Sequence, residues 1–310
     1  MKKIFLSILK NIIFITIFIF IFLYSKDVKE SIFFAFDIWV NKLIPSIFPF
    51  LLISSFLINY GFIDFLSITL GPLFSKIFKV SKESTYAIIT SIFTGFPTGS
   101  IYVKDLLKEQ IINIEEANHL IMFTSFSNPL FVISAVGESL LKNKKIGVFL
   151  FIVHLLSGLL IGFIFRKRVI NTSKGKKRKK EKKFIEVLKN SIEDSFKVLI
   201  NMLGIIIFSL IIITMIDKLF NNNYISLLVK GLIEVTSGIS FISSSNINIR
   251  LKTAIIGMFL SFNGISVHMQ TKNIIEGTDI KYKNYLIARL IHALLCFIII
   301  FLFFNLFISY

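Results

Sequence analysis

Long uncharged stretches alternate with short charged connections along the whole chain. Seven stretches of about twenty residues contain no Asp, Glu, Lys or Arg, and an eighth, 4–24, contains only Lys10. The seven are 43–63, 84–103, 117–137, 146–165, 198–216, 253–271 and 290–310. Because a helix needs about 20 such residues to cross the hydrocarbon core of a bilayer, the pattern predicts an all-α polytopic membrane protein. The first stretch follows Lys2 and Lys3 without a small-residue cleavage site, which is typical of an uncleaved anchor.

The stretch 84–103 is interrupted by residues that end helices. It contains Gly95, Pro97 and Gly99 within five residues. Hydroxyl groups flank this interruption, on Thr94, Thr98 and Ser100. Non-helical backbone persists at membrane depth only where protein or a wet cavity covers it. The pattern indicates either a re-entrant hairpin that lines a site or a proline kink with tight helix packing.

A weak internal repeat gives the interruption a counterpart in the second half. Segments 86–121 and 253–287 share an "AII" opening, a Gly-interrupted polar patch and a return helix. The second interruption is Asn263-Gly264. Paired interruptions at corresponding positions of two halves are typical of a transporter binding site. The sequence therefore predicts a two-repeat transporter-like bundle with re-entrant or broken helices.

A topology follows if 84–103 and 253–271 are both re-entrant hairpins. The other apolar stretches then cross the membrane near 4–24, 43–60, 117–137, 146–165, 197–216, 225–245 and 285–308. This arrangement places both hairpins on one side, whereas many transporters have inverted repeats, so the orientation of the second half stays open.

Composition and charge agree with a membrane location. The chain is 55% hydrophobic with a mean hydropathy of +0.79, well above the ordinary range of soluble domains. Most of the net charge of +17 lies in the loop 166–183, which has eleven basic residues and one acidic residue. Because spans flank it, this loop is interpreted as cytoplasmic and in contact with anionic headgroups, and a nucleic-acid partner is not expected.

Motifs for enzymatic chemistry are missing from the sequence. It contains no HExxH, GxSxG, Walker phosphate loop or CxxC, and its acidic residues show no metal-ligand spacing. The single cysteine, Cys296, lies in an apolar stretch and is expected to pack as a small hydrophobe. We therefore expect no enzyme activity, no cofactor and no metal site.

Ionisable residues inside apolar stretches are candidates for function because they are costly there. Glu234 precedes Thr236 and Ser237 in "GLIEVTSGIS". It is interpreted as a proton or cation coupling site, as a partner of Arg289, or as an interfacial glutamate. Arg289 itself is expected to pair with an acid, to bind a carboxylate substrate, or to extend to the interface.

Histidines and one Asn-Pro pair complete the polar candidates. His268 follows the second interruption and is a candidate donor to an anionic or heteroaromatic ligand. His154 and His292 lie inside spans and are expected to be hydrogen-bonded core residues. In "MFTSFSNPLFVISAVG", Ser127 and Asn128 stand just before a proline, where either a ligand contact or a simple kink fits.

Four segments together resemble a known family. They are "GFPTGSIYVKDLLKEQIINIEEANHLIMFTSFSNPLFVISAVG", "FIVHLLSGLLIGFIFRKR", "LIEVTSGI" and "SFNGISVHMQ". In this order they are similar to the YlbJ (SpoVV) family of sporulation integral membrane proteins, in the nucleoside-recognition Gate-domain group. The resemblance covers residues from about 40 to 300 and divides the chain into parts. These are an N-terminal anchor 1–30, a first Gate-like repeat 31–165, the basic loop 166–183 and a second Gate-like repeat 184–310.

The resemblance implies a multi-pass protein of the mother-cell-derived outer forespore membrane. Its implied task is to move dipicolinic acid toward the forespore, using hairpins like those of concentrative nucleoside transporters. The substrate positions implied on this chain are Pro97-Thr98-Gly99 and Asn263-Gly264-Ser266-Val267-His268. Phe126-Ser127 before Asn128 departs from the family pattern, in which smaller residues stand, and this bears on the size of the local pocket.

A specific hypothesis combines the residues with this resemblance. Thr98, Gly99 and Ser100 are expected to contact the carboxylates of the dianion together with Ser266 and His268, and Glu234 shapes or couples the site. Ion or proton coupling and the oligomeric state stay open. The alternatives are a nucleoside or nucleobase carrier and a non-transporting membrane protein needed for assembly of the spore cortex.

Overall fold

The computed structural model describes residues 2–60, 62–166, 183–220 and 224–308. Within these ranges the regular structure is helical, so the all-α prediction is confirmed for the described part of the chain. The predicted basic loop 166–183 lies outside the described residues except for its two ends.

The first half, as far as it is described, contains nine α-helices. They are α1 Lys2–Leu23, α2 Ser25–Ile38, α3 Ile44–Asn59, α4 Phe62–Thr69, α5 Gly71–Phe78, α6 Thr85–Thr94, α7 Thr98–Lys108, α8 Ile114–Leu120 and α9 Lys144–Ile164. Two π-helices, Trp39–Leu43 and Phe131–Leu140, lie between them. Asparagine side chains cap the N-termini of α8 and α9. The Asn113 side chain accepts a hydrogen bond from the Glu116 amide, and the Asn143 side chain accepts one from the Ile146 amide.

The described part of the second half contains six helices. They are α10 Phe184–Phe220, α11 Tyr224–Ile233, α12 Val235–Ser244, α13 Ile249–Phe262, α14 Gly264–Ile275 and α15 Tyr282–Phe307. α13 packs along α15, and the π-helix Phe131–Leu140 packs along α9. These four elements enclose a core of mostly aliphatic side chains that includes Leu150, Ile256, Phe259 and Ile300.

Three helices of the described chain are long and apolar enough to span a membrane. They are α9, the Phe184–Lys218 part of α10, and α15. A fourth candidate is the pair Asn11–Leu23 and Ser25–Asn41, which bends by 97° at its break. The prediction of an integral membrane protein is thus supported, but fewer uninterrupted spans exist than the seven expected from hydropathy, because several apolar stretches are broken.

The first predicted hairpin is present. α6 and α7 pack side by side and are joined by Gly95, Phe96 and Pro97. Gly95 has φ +79°, a backbone conformation that side chains with a Cβ rarely adopt, so the turn requires glycine. Each arm has about ten residues and rises ~15 Å, which is half the thickness of a hydrocarbon core.

The second hairpin lies at α11 and α12, so the prediction of a span near 225–245 is wrong. The chain reverses at Glu234, whose φ of −137° and ψ of 117° are extended. Gly231 and Gly238 stand opposite each other across the turn, so closely that a Cβ on Gly238 would overlap the Gly231 backbone. Glycines three residues before and four residues after Glu234 allow the two arms to approach each other.

The segment 253–271, predicted as a hairpin, is instead a helix broken at Asn263. Its halves pack mainly on different neighbours: α13 packs chiefly on α15, α12 and α9, whereas α14 packs chiefly on α7, α10 and α11. The stretch 117–137, predicted as a span, is also broken, because regular helix is absent from Thr124 to Asn128. The two breaks have the same cause, because Asn-Gly and Ser-Asn-Pro each end a helix without making the chain reverse.

The order of elements is the same in the two halves. A hairpin, a broken helix and a long helix follow one another as α6/α7, 114–140 and α9, and again as α11/α12, α13/α14 and α15. The repeated elements therefore align differently in the structure than in the sequence, where 86–121 was aligned with 253–287. The hairpin at Gly95 corresponds to the hairpin at Glu234, and the break at 124–128 corresponds to the break at Asn263.

Candidate functional site

The tip of the first hairpin is bound to the break at 124–128. The Asn128 side-chain amide donates to the Phe93 carbonyl (2.7 Å), and its oxygen accepts from the Leu130 amide (2.8 Å). The Phe96 amide donates to the Phe126 carbonyl (2.6 Å). Asn128 thus closes the end of α6 and begins the next helix, as expected for a residue that holds a kink.

Gly99 allows the second arm of this hairpin to lie against the same break. A Cβ built on Gly99 would overlap the Thr124 carbonyl oxygen, and one on Gly95 would lie 2.8 Å from the Asn128 amide nitrogen. Both glycines are therefore needed where two backbones cross in contact. The GxPxG pattern of the sequence is explained by this crossing.

The hydroxyl groups of the first hairpin are buried. Thr98 donates to the Gly95 carbonyl, and its hydroxyl shares a further hydrogen bond with that of Thr94. Ser100 is also buried, in the first turn of α7. No side chain caps the start of α7, so the positive end of its dipole is directed at the tip region.

The second break is joined to the first by side-chain hydrogen bonds. Asn263 has φ +74°, and its amide donates to the Ser125 hydroxyl (2.7 Å) and to the Tyr285 hydroxyl (3.1 Å). Among the described residues, the side-chain carbonyl oxygen of Asn263 is buried without a hydrogen-bond partner. Asn263 therefore connects the two broken segments and keeps one acceptor free.

Gly264 places the start of α14 against the tip of the second hairpin. A Cβ on Gly264 would lie 3.2 Å from the Ile233 carbonyl and 3.3 Å from the Val235 amide nitrogen. Ser266 is buried in the first turn of α14, which has no side-chain cap. A second uncapped helix start thus lies beside the two breaks.

His268 uses both of its ring nitrogens. Nε2 lies 2.9 Å from the Phe262 carbonyl and must donate to it, and Nδ1 lies 2.8 Å from the Tyr282 hydroxyl, from which the neutral ring accepts. For His268 to donate to a ligand, as predicted, one of these two hydrogen bonds has to open.

Arg289 lies at the centre of the joint between the halves and is fully buried. Its guanidinium donates to the carbonyls of Met122 (2.7 Å), Ser125 (2.9 Å) and Ser261 (3.3 Å), and to His292 Nδ1 (2.7 Å). Within the described chain it has no carboxylate partner, so the predicted pairing with an acid and the extension to the interface are both wrong. Backbone carbonyls at the two breaks take the place of the acid.

His154 and His292 are hydrogen-bonded core residues, as predicted. His154 accepts from the Ser127 amide (2.9 Å) and therefore donates to the Ser261 hydroxyl (2.9 Å). His292 donates to the His154 carbonyl (2.8 Å), and the two rings stack 4.7 Å apart. These histidines tie the first break to the end of α13.

Glu234 lies at the turn of the second hairpin and is 4% exposed. Its carboxylate accepts from the Ser237 amide (2.6 Å) and so caps α12, and Thr236 lies half-buried in the first turn. The interpretation of Glu234 as a partner of Arg289 is wrong, because each has other partners. On the first arm, buried Lys230 forms an ion pair with Asp217 of α10 and lies 4.4 Å from the centre of the Phe241 ring.

A small cavity of about 40 Å³ opens beside the first hairpin. Pro97 lines one side, and Gln270 and Asn273 of α14 face it together with Asn201 of α10. The Gln270 side-chain oxygen is buried and has no hydrogen-bond partner in the described part of the chain. Among the described residues no three His, Cys, Asp or Glu side chains come together as a metal site.

The structure brings most of the predicted residues into one region. Both breaks and both hairpin tips meet there, around Thr98, Asn128, Glu234 and Asn263. The sequence prediction missed Gln270, Tyr282 and Tyr285. A signal for the tyrosines was present, because polar side chains recur on one face of α15 at positions 282, 285, 289 and 292.

Comparison with known proteins gives two matches. Residues 40–144 match the Gate family, described as "Nucleoside recognition". The chain is 27% identical over 296 residues to the sporulation integral membrane protein YlbJ of Bacillus subtilis (strain 168), a match that covers 83% of this chain and 72% of that protein. No solved structure matches significantly. The resemblance inferred from the sequence is confirmed.

Proposed function

We propose that this relative of YlbJ is a membrane carrier that moves dipicolinic acid across the outer forespore membrane toward the forespore. The observation that carries the proposal is the meeting of two hairpin tips with two helix breaks between the halves of the bundle. Transporters with repeated halves place their solute at such a junction, because broken backbone there offers partial charges inside the membrane. The relative is named as a sporulation integral membrane protein, which supports a role in sporulation.

Two helix starts support an anionic solute. α7 and α14 both begin inside this region without a side-chain cap, whereas the carboxylate of Glu234 already caps α12. The positive dipole end at a helix start favours carboxylate oxygens, although the amides of Thr98 and Ser100 in α7 already donate to the carbonyls of Gly95 and Pro97. The flat, small dianion of dipicolinic acid fits a site of this kind, in which Thr98, Ser100 and Ser266 add hydroxyl groups.

The cavity size indicates that the carrier must change shape to hold its solute. A volume of about 40 Å³ has room for water only. Sites for small organic molecules usually measure roughly 300–1,000 Å³. Displacement of the first hairpin from α10 and α14 would enlarge this cavity, since Pro97 forms one of its walls.

A nucleoside or nucleobase is the second candidate solute. The buried carbonyl oxygens of Asn263 and Gln270 are acceptors without partners, and a base or ribose supplies the N–H and O–H donors that they need. The match to a family described as nucleoside recognition favours the same solute. With dipicolinate, these two acceptors would bind water or a co-transported cation.

Flux measurements on the purified protein distinguish the candidates. Proteoliposomes are loaded with labelled dipicolinate or labelled uridine, with and without an ion gradient. We expect saturable dipicolinate flux that exceeds flux through empty liposomes. Saturable uridine flux without dipicolinate flux would show a nucleoside carrier, and absence of both would show a non-transporting protein.

Replacement of Gln270 by alanine is expected to reduce dipicolinate flux about three- to tenfold, the effect of losing one hydrogen bond from the Gln270 side-chain N–H groups in the cavity to a carboxylate. Its side-chain oxygen has no partner within the described structure, so stability should change little. Lys272→Ala, on the same helix and exposed, is the matched control. Equal flux through Q270A and wild type would exclude Gln270 from the site.

Replacement of Glu234 by glutamine separates capping from coupling. The glutamine oxygen can still accept from the Ser237 amide, so α12 should keep its cap. If Glu234 carries the coupling charge, E234Q loses the acceleration of dipicolinate flux by a proton or cation gradient but keeps downhill exchange. Glu116→Gln is the control, since Glu116 is buried and hydrogen-bonded to Ser81 and Ser84 away from the tips. Full gradient stimulation of E234Q would reduce Glu234 to a helix cap.

A further inference from the structure

A deep groove runs along the outer surface between α9 and α15. It has a volume of about 540 Å³ and lies away from the hairpin tips. One wall is a ridge of Val148, Ile152 and Leu156, and the facing wall carries Phe303 and Phe307. Residues four positions apart line the same face of a helix, so each wall is a continuous apolar strip.

The groove has basic residues at one end only. Lys144 and Lys145, in the first turn of α9, line it there, and both are exposed. No Asp or Glu lines the groove among the described residues. Lys142 is exposed two residues before α9, and the start of the helix adds a positive dipole end. This end therefore favours a negatively charged group.

The length of the groove matches one leaflet of a bilayer. From Lys144 to Leu156 the helix rises ~18 Å, at about 1.5 Å per residue. Half of a hydrocarbon core is roughly 15 Å. The basic end consequently lies one leaflet depth from the far end of the groove, as a headgroup does from the end of its acyl chain.

We propose that this groove binds an anionic phospholipid of the surrounding bilayer. Lys144 and Lys145 bind the phosphate and the charged headgroup, and an acyl chain lies between the two apolar ridges. Basic pockets between membrane helices recognise anionic headgroups in this way. A zwitterionic lipid would gain less from the two lysines, because a cation in its headgroup balances the phosphate charge, and an apolar helix of a partner would leave them unpaired.

Native mass spectrometry of the full-length chain tests the proposal. The purified protein is incubated in detergent with equimolar phosphatidylglycerol and phosphatidylcholine, and the lipids retained are counted. We expect one preferentially retained phosphatidylglycerol. The double variant K144Q/K145Q should lower the preference for phosphatidylglycerol about 30-fold, from the loss of two basic contacts. Ile152→Trp, which fills the groove, should lower retention of both lipids.

The matched control is K281Q/K283Q, which removes two exposed lysines around the start of α15 that do not line the groove. It should leave the lipid preference unchanged, and all variants should unfold at the wild-type temperature. Equal retention of the two lipids, or an equal effect of the control variant, would overturn the proposal. A dimer that disappears in Ile152→Trp would also overturn it, by showing that a second copy covers the groove.

Discussion

Replacement of Arg289 by methionine is expected to lower the free energy of unfolding by about 2–4 kcal/mol, because its partners cannot be replaced along with it. Buried ion pairs can often be exchanged for apolar residues at little cost. Here, however, the acceptors include the carbonyls of Met122, Ser125 and Ser261, which stay in place as unsatisfied groups. Thermal unfolding in detergent should show a midpoint lower by roughly 5–10 °C.

Arg250→Met is the control for this prediction. The Arg250 guanidinium lies 4.6 Å from the centre of the Phe301 ring, and no buried carbonyl depends on it. Its loss should cost no more than about 1 kcal/mol. Arg289→Lys should fall between wild type and R289M, since an ammonium group keeps the charge but does not reproduce the planar fork of donors. If the thermal unfolding midpoint of R289M lay within about 2 °C of that of R250M, the loss would be no larger than for a surface contact. Arg289 would then not be needed to stabilise the two breaks.

Arg289 stabilises the fold at the same place where the candidate site lies. Arg289 and His154 join the first break to the end of α13, and Asn263 joins the second break to Ser125. These bonds fix the two broken helices as one unit. The tips of both hairpins contact this unit, so the hairpins would be the moving elements in the proposed carrier cycle.

Local chemistry made the positions of the breaks predictable from the sequence. Glycine, proline and Asn-Gly disfavour helix wherever they occur, so the interruptions at 95–99, 128–129 and 263–264 were visible without knowledge of the fold. Whether the chain reverses at a break depends on what its two arms pack against. For that reason the hairpin at Glu234 was predicted as a span, and the broken helix at Asn263 was predicted as a hairpin.

The partners of the site residues were predictable only in part. The polar face of α15 was readable from its spacing, and it contains Tyr285 and Arg289. The acceptors of Arg289 were not readable, because they are carbonyls from separate segments that only the folded chain brings together. The repeat was misaligned in the sequence because isoleucine-rich helices match one another at many offsets. The order of hairpin, broken helix and long helix can be aligned between the two halves in one way only.

Replacement of Gly99 by alanine is expected to prevent the first hairpin from seating against the break at 124–128. The added methyl group would overlap the Thr124 carbonyl oxygen, which is backbone and cannot rotate away. Overpacking of this kind typically costs about 1–3 kcal/mol, and a rigid neighbour places G99A at the upper end. We expect a lower unfolding midpoint together with loss of the saturable flux, because the tip and the start of α7 are displaced from the second break.

Gly204→Ala provides the matched comparison for G99A, because the substitution is identical and nothing lies within 4 Å of the added methyl group. Gly204 lies inside α10, where alanine favours the helix by about 1 kcal/mol, so G204A should be as stable as wild type or slightly more stable. The two variants differ only in what the methyl group meets. If G99A and G204A had the same unfolding midpoint and the same flux, the close crossing of the first hairpin over Thr124 would not be a requirement of the functional protein. If only G99A loses stability and flux, glycine is required at the first hairpin, where the helix is broken and the candidate site begins.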